Sequence, residues 1–255
     1  MPARADEAIW QTEGARKRTA VQRMFGEIAP TYDLLNGLMS LSLHRRWRAF
    51  AVGKLALKPG ARALDVCCGT GDFMVPLRKA VGSQGRVVGI DFCLPMLEVA
   101  KRKLFSPPPT PSPSRLQRDE EGGLALGDAC QLPVRSGSFD AVSVGWGIRN
   151  VPDIDAAHRE LVRVLRNGGR FVSLDMARPE NPAVRVVSEF VFQKIVPKLG
   201  SLFGKTDAYT YLPKSTERFW TREQLAASME RAGLVDVGHR NLMLGNICIH
   251  WGRKP

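Results

Sequence analysis

The stretch "ALDVCCGTGDF", Ala63 to Phe73, decides how this chain is read. A short apolar run follows the turn-like "LKPG", ends at Asp65 and two cysteines, and then turns through Gly69 and Gly71. An apolar run of this length, bounded by turn residues, fits a buried strand. Adjacent cysteines raise metal or redox chemistry, whereas glycines just past a strand raise a nucleotide. The chain has five cysteines, Cys67, Cys68, Cys93, Cys130 and Cys248, an odd number with no C-x-x-C pair. Neither a disulfide framework nor a metal site is expected from that pattern; reduced, mostly buried thiols are.

The glycine reading gains support downstream. "GRVVGID", Gly85 to Asp91, is a second apolar run ending in an acid, 20 residues beyond Gly71. In an open α/β sheet, ligands bind outside the carboxyl ends of the strands, and an acid there can accept both hydroxyls of a ribose. Gly69 and Gly71 allow positive φ and close approach of backbone to ligand. The dinucleotide pattern G-x-G-x-x-G would need a third glycine, and that position is Met74. Asp65 and Asp72 would also repel a pyrophosphate. They suit a ligand carrying positive charge, such as S-adenosylmethionine with its sulfonium and ammonium groups. Asp128 in "GDACQLP" follows another strand. It can receive an adenine amino group, with the Ala129 amide beside it, or it can cap a turn.

Around these motifs, strands alternate with helices. Strands are expected at "LALGDA", "FDAVSVGWGI" and "RFVSLDMA", with helices at "LPMLEVAKRKL", "DIDAAHRELVRVLRNGG", "NPAVRVVSEFVFQKIVPKLG" and "TREQLAASMERAG". A further helix starts near Phe73, because Pro76 is tolerated only in a first turn. "LVDVGHRNL" and "NICIHWGRK" close the chain as a strand pair, antiparallel at the far edge. This pattern predicts a mainly parallel sheet with helices on both faces. Ahead of it, residues 20–55 are amphipathic and broken by Pro30 and Gly37, giving two or three short helices. Residues 1–19 are expected to be flexible and 56–255 to form the main domain. An insertion at 105–123 opens with "FSPPPTPSPS", five of the seventeen prolines, and reads as an exposed excursion.

The formal charge is +12. Its clusters, "GARKRTAVQR", "HRRWR" and "KRK", are separate and accompany no nucleic-acid motif. A solvated basic surface is the plain reading, an anionic membrane surface the next. No apolar run reaches the roughly 20 residues that span a bilayer, and the N-terminus lacks a secretory h-region.

"LDVCCGTGD", "VVGIDFCLPML", "GDACQLP", "FDAVSVGWGIRNVPD" and "RVLRNGGRFVSLD" together resemble the class I S-adenosylmethionine-dependent methyltransferases. "YDLLNGLMSLSLHRRW", "GIRN" and "TDAYTYLPKSTERF" narrow the resemblance to the C-methyltransferases of ubiquinone and menaquinone biosynthesis. Three departures stand out: Ser42 where the signature has glycine, "RNGG" for the usual K-P-G-G, and Asp175 and Ala177 for the usual Glu and Ser. The resemblance implies a Rossmann-like, mainly parallel seven-stranded sheet under an N-terminal helical lid. It implies methylation of a ring carbon on a prenylated quinol: demethylmenaquinol or its phytyl relative, or alternatively the benzoquinol of ubiquinone synthesis. A non-catalytic scaffold of a quinone-making complex and a nucleic-acid methyltransferase are rivals from other classes.

The donor site is then expected at Asp65, Gly69, Thr70, Gly71, Asp91, Asp128, Ala129 and Gly145. The quinol is expected against Tyr32, His44, Trp146, Arg149 and Asn150. Arg149 can steady a phenolate and hold a water, or form an ion pair with Asp153 or Asp155. Tyr32 and Asp33 can orient the quinol head, or serve helix packing and capping. His44 can be a general base or a hydrogen-bonded structural residue. Expected partners are the prenylated quinol, a membrane surface touched from one side and a second copy of the chain, with no nucleic acid. The expected location is the cytoplasm at the inner membrane, or alternatively a plastid.

Overall fold

Strand β1 (Arg62–Val66) sits in the middle of a seven-stranded sheet, flanked by β2 (Arg86–Asp91) and β4 (Phe139–Gly145), both parallel to it. The computed structural model describes residues 14–105, 122–195 and 206–255. Most of the 105–123 insertion, residues 1–13 and the last part of the helix expected to reach Gly200 lie outside the described residues.

The sheet order is β3-β2-β1-β4-β5-β7-β6. Here β3 is Gly122–Leu126, β5 Leu165–Met176, β6 Val235–Leu242 and β7 Ile247–Arg253. Strands β1 to β5 are parallel, and β7 runs antiparallel to both neighbours. The closing pair is therefore antiparallel, as the sequence predicts, but β7 lies inside the sheet and β6 forms its edge.

Alternation along each strand divides the core in two. Leu64, Val66, Val142, Val144 and Phe171 pack on one face, and Ala63, Ala141, Val172 and Leu174 on the other. That two-residue period follows from the pleat. Leu64 is fully buried, so truncating it to alanine costs about 2–5 kcal/mol. The face holding Ala63 is covered by α3 (His44–Lys54) and α4 (Met74–Val81), and the face holding Leu64 by α6 (Ile154–Val164) and α9 (Arg222–Arg231).

Helix α1 (Gly14–Ile28) begins inside the segment expected to be flexible, and α2 (Tyr32–Met39) follows it after a single 3-10 turn at Ala29–Thr31. Helix α5 (Leu94–Phe105) packs against α1. Asp153 caps α6, its carboxylate accepting from the Ala156 amide at 2.8 Å. Helix α7 (Pro182–Phe190) is capped by Asn181 and carries proline at its opening turn, and α9 has a Thr221/Gln224 capping box. Both starts match the cap chemistry of the sequence.

One element differs from expectation. "RNGG" does not end α6. The chain enters β5 at Leu165, and Gly168, at φ +77°, donates to the Lys254 carbonyl at 2.9 Å. A register shift against β4 absorbs the extra residues. Thr206–Glu217 is a helix, α8, despite Pro213 within it.

Candidate active site

The carboxyl ends of β1, β2 and β4 meet the N-terminal helices at two neighbouring cavities. The first, about 720 Å³, is lined by Gly69, Asp91, Asp128, Ala129, Gly145 and Trp146 from the sheet side and by Arg18, Phe25 and Tyr32 from α1 and α2. The second, about 890 Å³, is mostly apolar, with His44, Arg48, Arg149 and Tyr211 among its walls. Phe25, Tyr32 and Trp146 line both and form their common wall.

The glycine turn is shaped for close approach. Gly69 and Gly71 have φ of +53° and +80°. A Cβ on Gly71 would lie 2.6 Å from Leu104 Cδ1, to which that flexible side chain can yield, so it is the backbone conformation that calls for glycine there. Cys67 and Trp146 share this left-handed region at φ +56° and +54°, which non-glycine residues enter only at an energetic penalty. Gly147 makes room for them: its Cβ would sit 2.3 Å from Cys67 Cβ. The cysteine pair thus serves the turn. Burial pushes both thiols far up, and nearby carboxylates push in the same direction, so they remain protonated.

Asp91 faces the first cavity with one oxygen accepting the Gly69 amide and the other the Cys93 amide, each at 2.8 Å. A carboxylate offers about four lone-pair sites, which leaves two for ligand hydroxyls. Burial raises its pKa to about 6, against the pull of those amides. Asp128 bonds the Cys130 amide at 2.9 Å and pairs with Arg18 at 2.8 Å, so the turn-capping role is filled while the residue still lines the cavity.

Asp65 sits one layer behind. Its Oδ1 accepts from Ser143 Oγ at 2.7 Å, its Oδ2 has no hydrogen-bond partner among the described residues, and burial pushes it up to about 7. Thr70 and Gly71 are also outside the cavity wall. Thr70 Oγ1 donates to Asp33 at 2.5 Å.

Asp33 belongs to an ionic chain rather than to either cavity. Lys103 bridges Asp33 and Asp72, and Asp72 also pairs with Arg48 at 2.9 Å. Arg48 stacks over the Trp146 ring at 4.9 Å. Burial works against the Asp72 charge, but Arg48 and Lys103 outweigh it and hold its carboxyl below the usual range. Asp72 is therefore neutralised by the protein itself, contrary to the expectation that it would face a cationic ligand. Arg48, from the basic "HRRWR" run, is buried, contrary to a solvated reading of that cluster.

Arg149, in the turn after β4, is buried and ion-paired with Asp175 on β5. Neither expected partner is used: Asp153 caps α6, and Asp155 pairs with Arg231. The Arg149 guanidinium also donates to the Trp146 carbonyl at 3.0 Å, while its Nε has no partner among the described residues and the residue lines the second cavity. Burial opposes its charge, but Asp175 more than compensates. Asn150 lines the first cavity and accepts from Tyr211 Oη at 2.9 Å. Sequence reading singled out neither Arg18, Arg48 nor Tyr211. Only the basic runs and the "TDAYTY" segment contained any signal for them.

The sequence matches the model of the ubiE/COQ5 methyltransferase family over residues 12–254. The chain belongs to that family. A demethylmenaquinone methyltransferase of Desulfitobacterium hafniense (strain Y51) is 39% identical over 252 residues, 98% of this chain and 96% of its own. One of Roseiflexus sp. (strain RS-1) is 42% identical over 240 residues, 94% of this chain and 95% of its own. Among solved structures, a SAM-dependent methyltransferase of Thermotoga maritima matches with a TM-score of 0.62 at 19% identity, covering 92% of this chain and 99% of that one. The fold is the class I methyltransferase fold, and this ubiE/COQ5 family member is an S-adenosylmethionine-dependent methyltransferase.

The first cavity fits that donor. It offers the backbone of Gly69, the Asp91 carboxylate at the end of β2 and that of Asp128, which suit a cationic or hydrogen-bonding guest.

Proposed function

We propose that this protein methylates a ring carbon of a prenylated naphthoquinol, demethylmenaquinol or a close relative. The observation that carries the reading is the common wall of Phe25, Tyr32 and Trp146. It sets a cavity with two carboxylates in its wall, Asp91 and Asp128, directly beside a second one that contains a buried arginine; both are otherwise largely apolar. A cationic nucleoside suits the first and an aromatic head with a hydrocarbon tail suits the second.

In this reading Asp91 holds the ribose hydroxyls. Gly69 and Gly145 keep backbone near the ligand, Gly71 shapes the turn behind them, and Asp128 and Ala129 meet the adenine. Asp65 and Thr70 support the turn from behind. S-adenosylmethionine bound there supplies a methyl carried on sulfonium sulfur. The chain aligns the ring carbon with that methyl, excludes water and makes the ring electron-rich. Arg149, always protonated, steadies negative charge on the quinol oxygen. Tyr32 and Trp146 fix the ring between the two ligands, and Asn150 holds the turn that carries Arg149. Asp33 acts through Thr70, as a positioning residue.

The tail would leave past Met39 and Met243, beside the exposed Leu38, Leu41 and Leu244. Among the described residues no helix is long and apolar enough to cross a membrane. The proposal is therefore a docking at the surface of an anionic bilayer, helped by the net positive charge.

The test is direct. The purified protein is given labelled donor with a naphthoquinol or a benzoquinol, and the product is identified by mass. Methylated naphthoquinol is expected. Methylated benzoquinol alone would move the assignment to ubiquinone synthesis, and no product from either would end it.

A further inference from the structure

Methylating a quinol carbon requires removing the proton of a neighbouring hydroxyl, and most groups near the second cavity are unable to accept it. Its walls hold five titratable side chains among the described residues: Tyr32, His44, Arg48, Arg149 and Tyr211. The two arginines are permanently protonated. Burial raises Tyr32, and it raises Tyr211 to about 12, so both phenols hold their protons. The nearby carboxylates are engaged elsewhere: Asp33 with Thr70 and Lys103, Asp72 with Arg48 and Lys103, and Asp175 with Arg149.

His44 remains. It opens α3, is 5% exposed and lines this cavity. Its Nδ1 lies 2.5 Å from Ser40 Oγ, and that hydroxyl is 2.6 Å from the Asn36 carbonyl of α2. A serine hydroxyl has one hydrogen. Since Ser40 gives it to the Asn36 carbonyl, Oγ accepts from Nδ1–H. This arrangement favours the tautomer in which Nε2 carries the lone pair, and no other hydrogen bond of the ring is present among the described residues.

We propose that His44 is the general base of the methyl transfer, with Ser40 and the Asn36 carbonyl as its orienting relay. The inference rests on the quinol-methylation reading above. The quinol O–H breaks, its proton passes to Nε2 and its electron pair stays on oxygen. The adjacent ring carbon bonds to the methyl as the C–S pair returns to sulfur. The ring oxygen takes the proton back from Nε2 as the hydrogen on that carbon leaves to water, restoring the aromatic ring and the neutral imidazole. Arg149 stabilises the phenolate oxygen, so the acid–base and electrostatic roles fall on different residues.

The groups around the imidazole favour its neutral form on balance. Burial lowers its pKa, Arg48 and Arg45 on its own helix act the same way, and Asp72 and Asp33 oppose them. Tyr32 and Arg149 complete the cavity around it.

The experiment measures kcat at saturating donor and naphthoquinol from pH 5 to 9, for the wild type, His44→Asn and Ser40→Ala. Asparagine keeps a donor for Ser40 Oγ and lacks Nε2. The expected results are an acid limb in the wild type, a fall of about 10²–10⁴-fold in His44→Asn with the limb gone, and partial rescue by free imidazole. Donor affinity by calorimetry should stay within about threefold. Ser40→Ala should fall less and keep the limb. A wild-type kcat flat between pH 5 and 8 overturns the proposal, even if His44→Asn does not fold. So does a His44→Asn kcat within about threefold of wild type, or a parallel loss of donor affinity. A wild type that methylates neither quinol would instead remove the reading on which the proposal stands.

Discussion

Acidification should separate donor binding from folding at Asp91. This carboxyl is 6% exposed and has its pKa raised to about 6 from 3.8. The shift corresponds to roughly 3 kcal/mol by which ionisation is disfavoured in the folded, ligand-free protein. The sign follows from the direction. A carboxyl raised on folding contributes stability that is present below about pH 4 and lost as pH climbs through 6. Asp65, raised to about 7, acts with the same sign. The ligand-free protein should therefore become less stable between pH 4 and 8. Donor binding runs the other way, because ribose hydroxyls and a cationic ligand favour the carboxylate. Below pH 6 the dissociation constant should rise about tenfold per unit, so it should be about tenfold weaker at pH 5 than at pH 8. Calorimetric titration of S-adenosylmethionine at four pH values, paired with thermal unfolding of the ligand-free protein, measures both trends. Asp91→Asn should abolish this part of the slope and weaken binding by about 10–100-fold, because its amide must turn an N–H toward the Gly69 or the Cys93 amide. Binding independent of pH from 5 to 7, or an Asp91→Asn protein that binds as the wild type does, would refute the reasoning.

Three further outcomes are expected. Arg149→Met leaves Asp175 buried without its cation, so stability should fall by about 3–5 kcal/mol; adding Asp175→Asn should recover much of the melting temperature in thermal unfolding but not the methylation rate. Lys103→Met removes the cation between Asp33 and Asp72. Those groups are partly exposed, so the expected stability loss is about 1 kcal/mol or less, with a rise in KM for the donor that high salt imitates in the wild type. Leu41→Asp should reduce flotation with anionic vesicles, while turnover of a short-tailed quinol in detergent stays unchanged.

The strands that position the site were legible because each joins an apolar run to a terminal acid or glycine, a local pattern. Asp91 and the glycine turn were readable for the same reason. What escaped depends on contacts distant in sequence. The "RNGG" stretch looks like a helix exit, yet its glycines meet Lys254, which no local pattern reveals. Asp72 looked available for a ligand because its partners, Arg48 and Lys103, lie on helices far away along the chain. Arg149 had acids within six residues but pairs with Asp175, which the sheet brings beside it through β5. For His44 the sequence left a base and a structural residue open, and the hydrogen bond from the turn before α3, Ser40 to Nδ1, is a side-chain contact that its spacing alone does not reveal.

The division between the two cavities bears on how such an enzyme acquires a new acceptor. Ten of the seventeen described residues around the second cavity, the proposed acceptor chamber, come from residues 24–48, a single contiguous stretch near the front of the chain. Strand ends and their turns supply most of the donor chamber. Grafting that front stretch from a relative, with its contacts to Trp146 preserved, would exchange the molecule being alkylated without rebuilding the machinery that holds the alkylating agent.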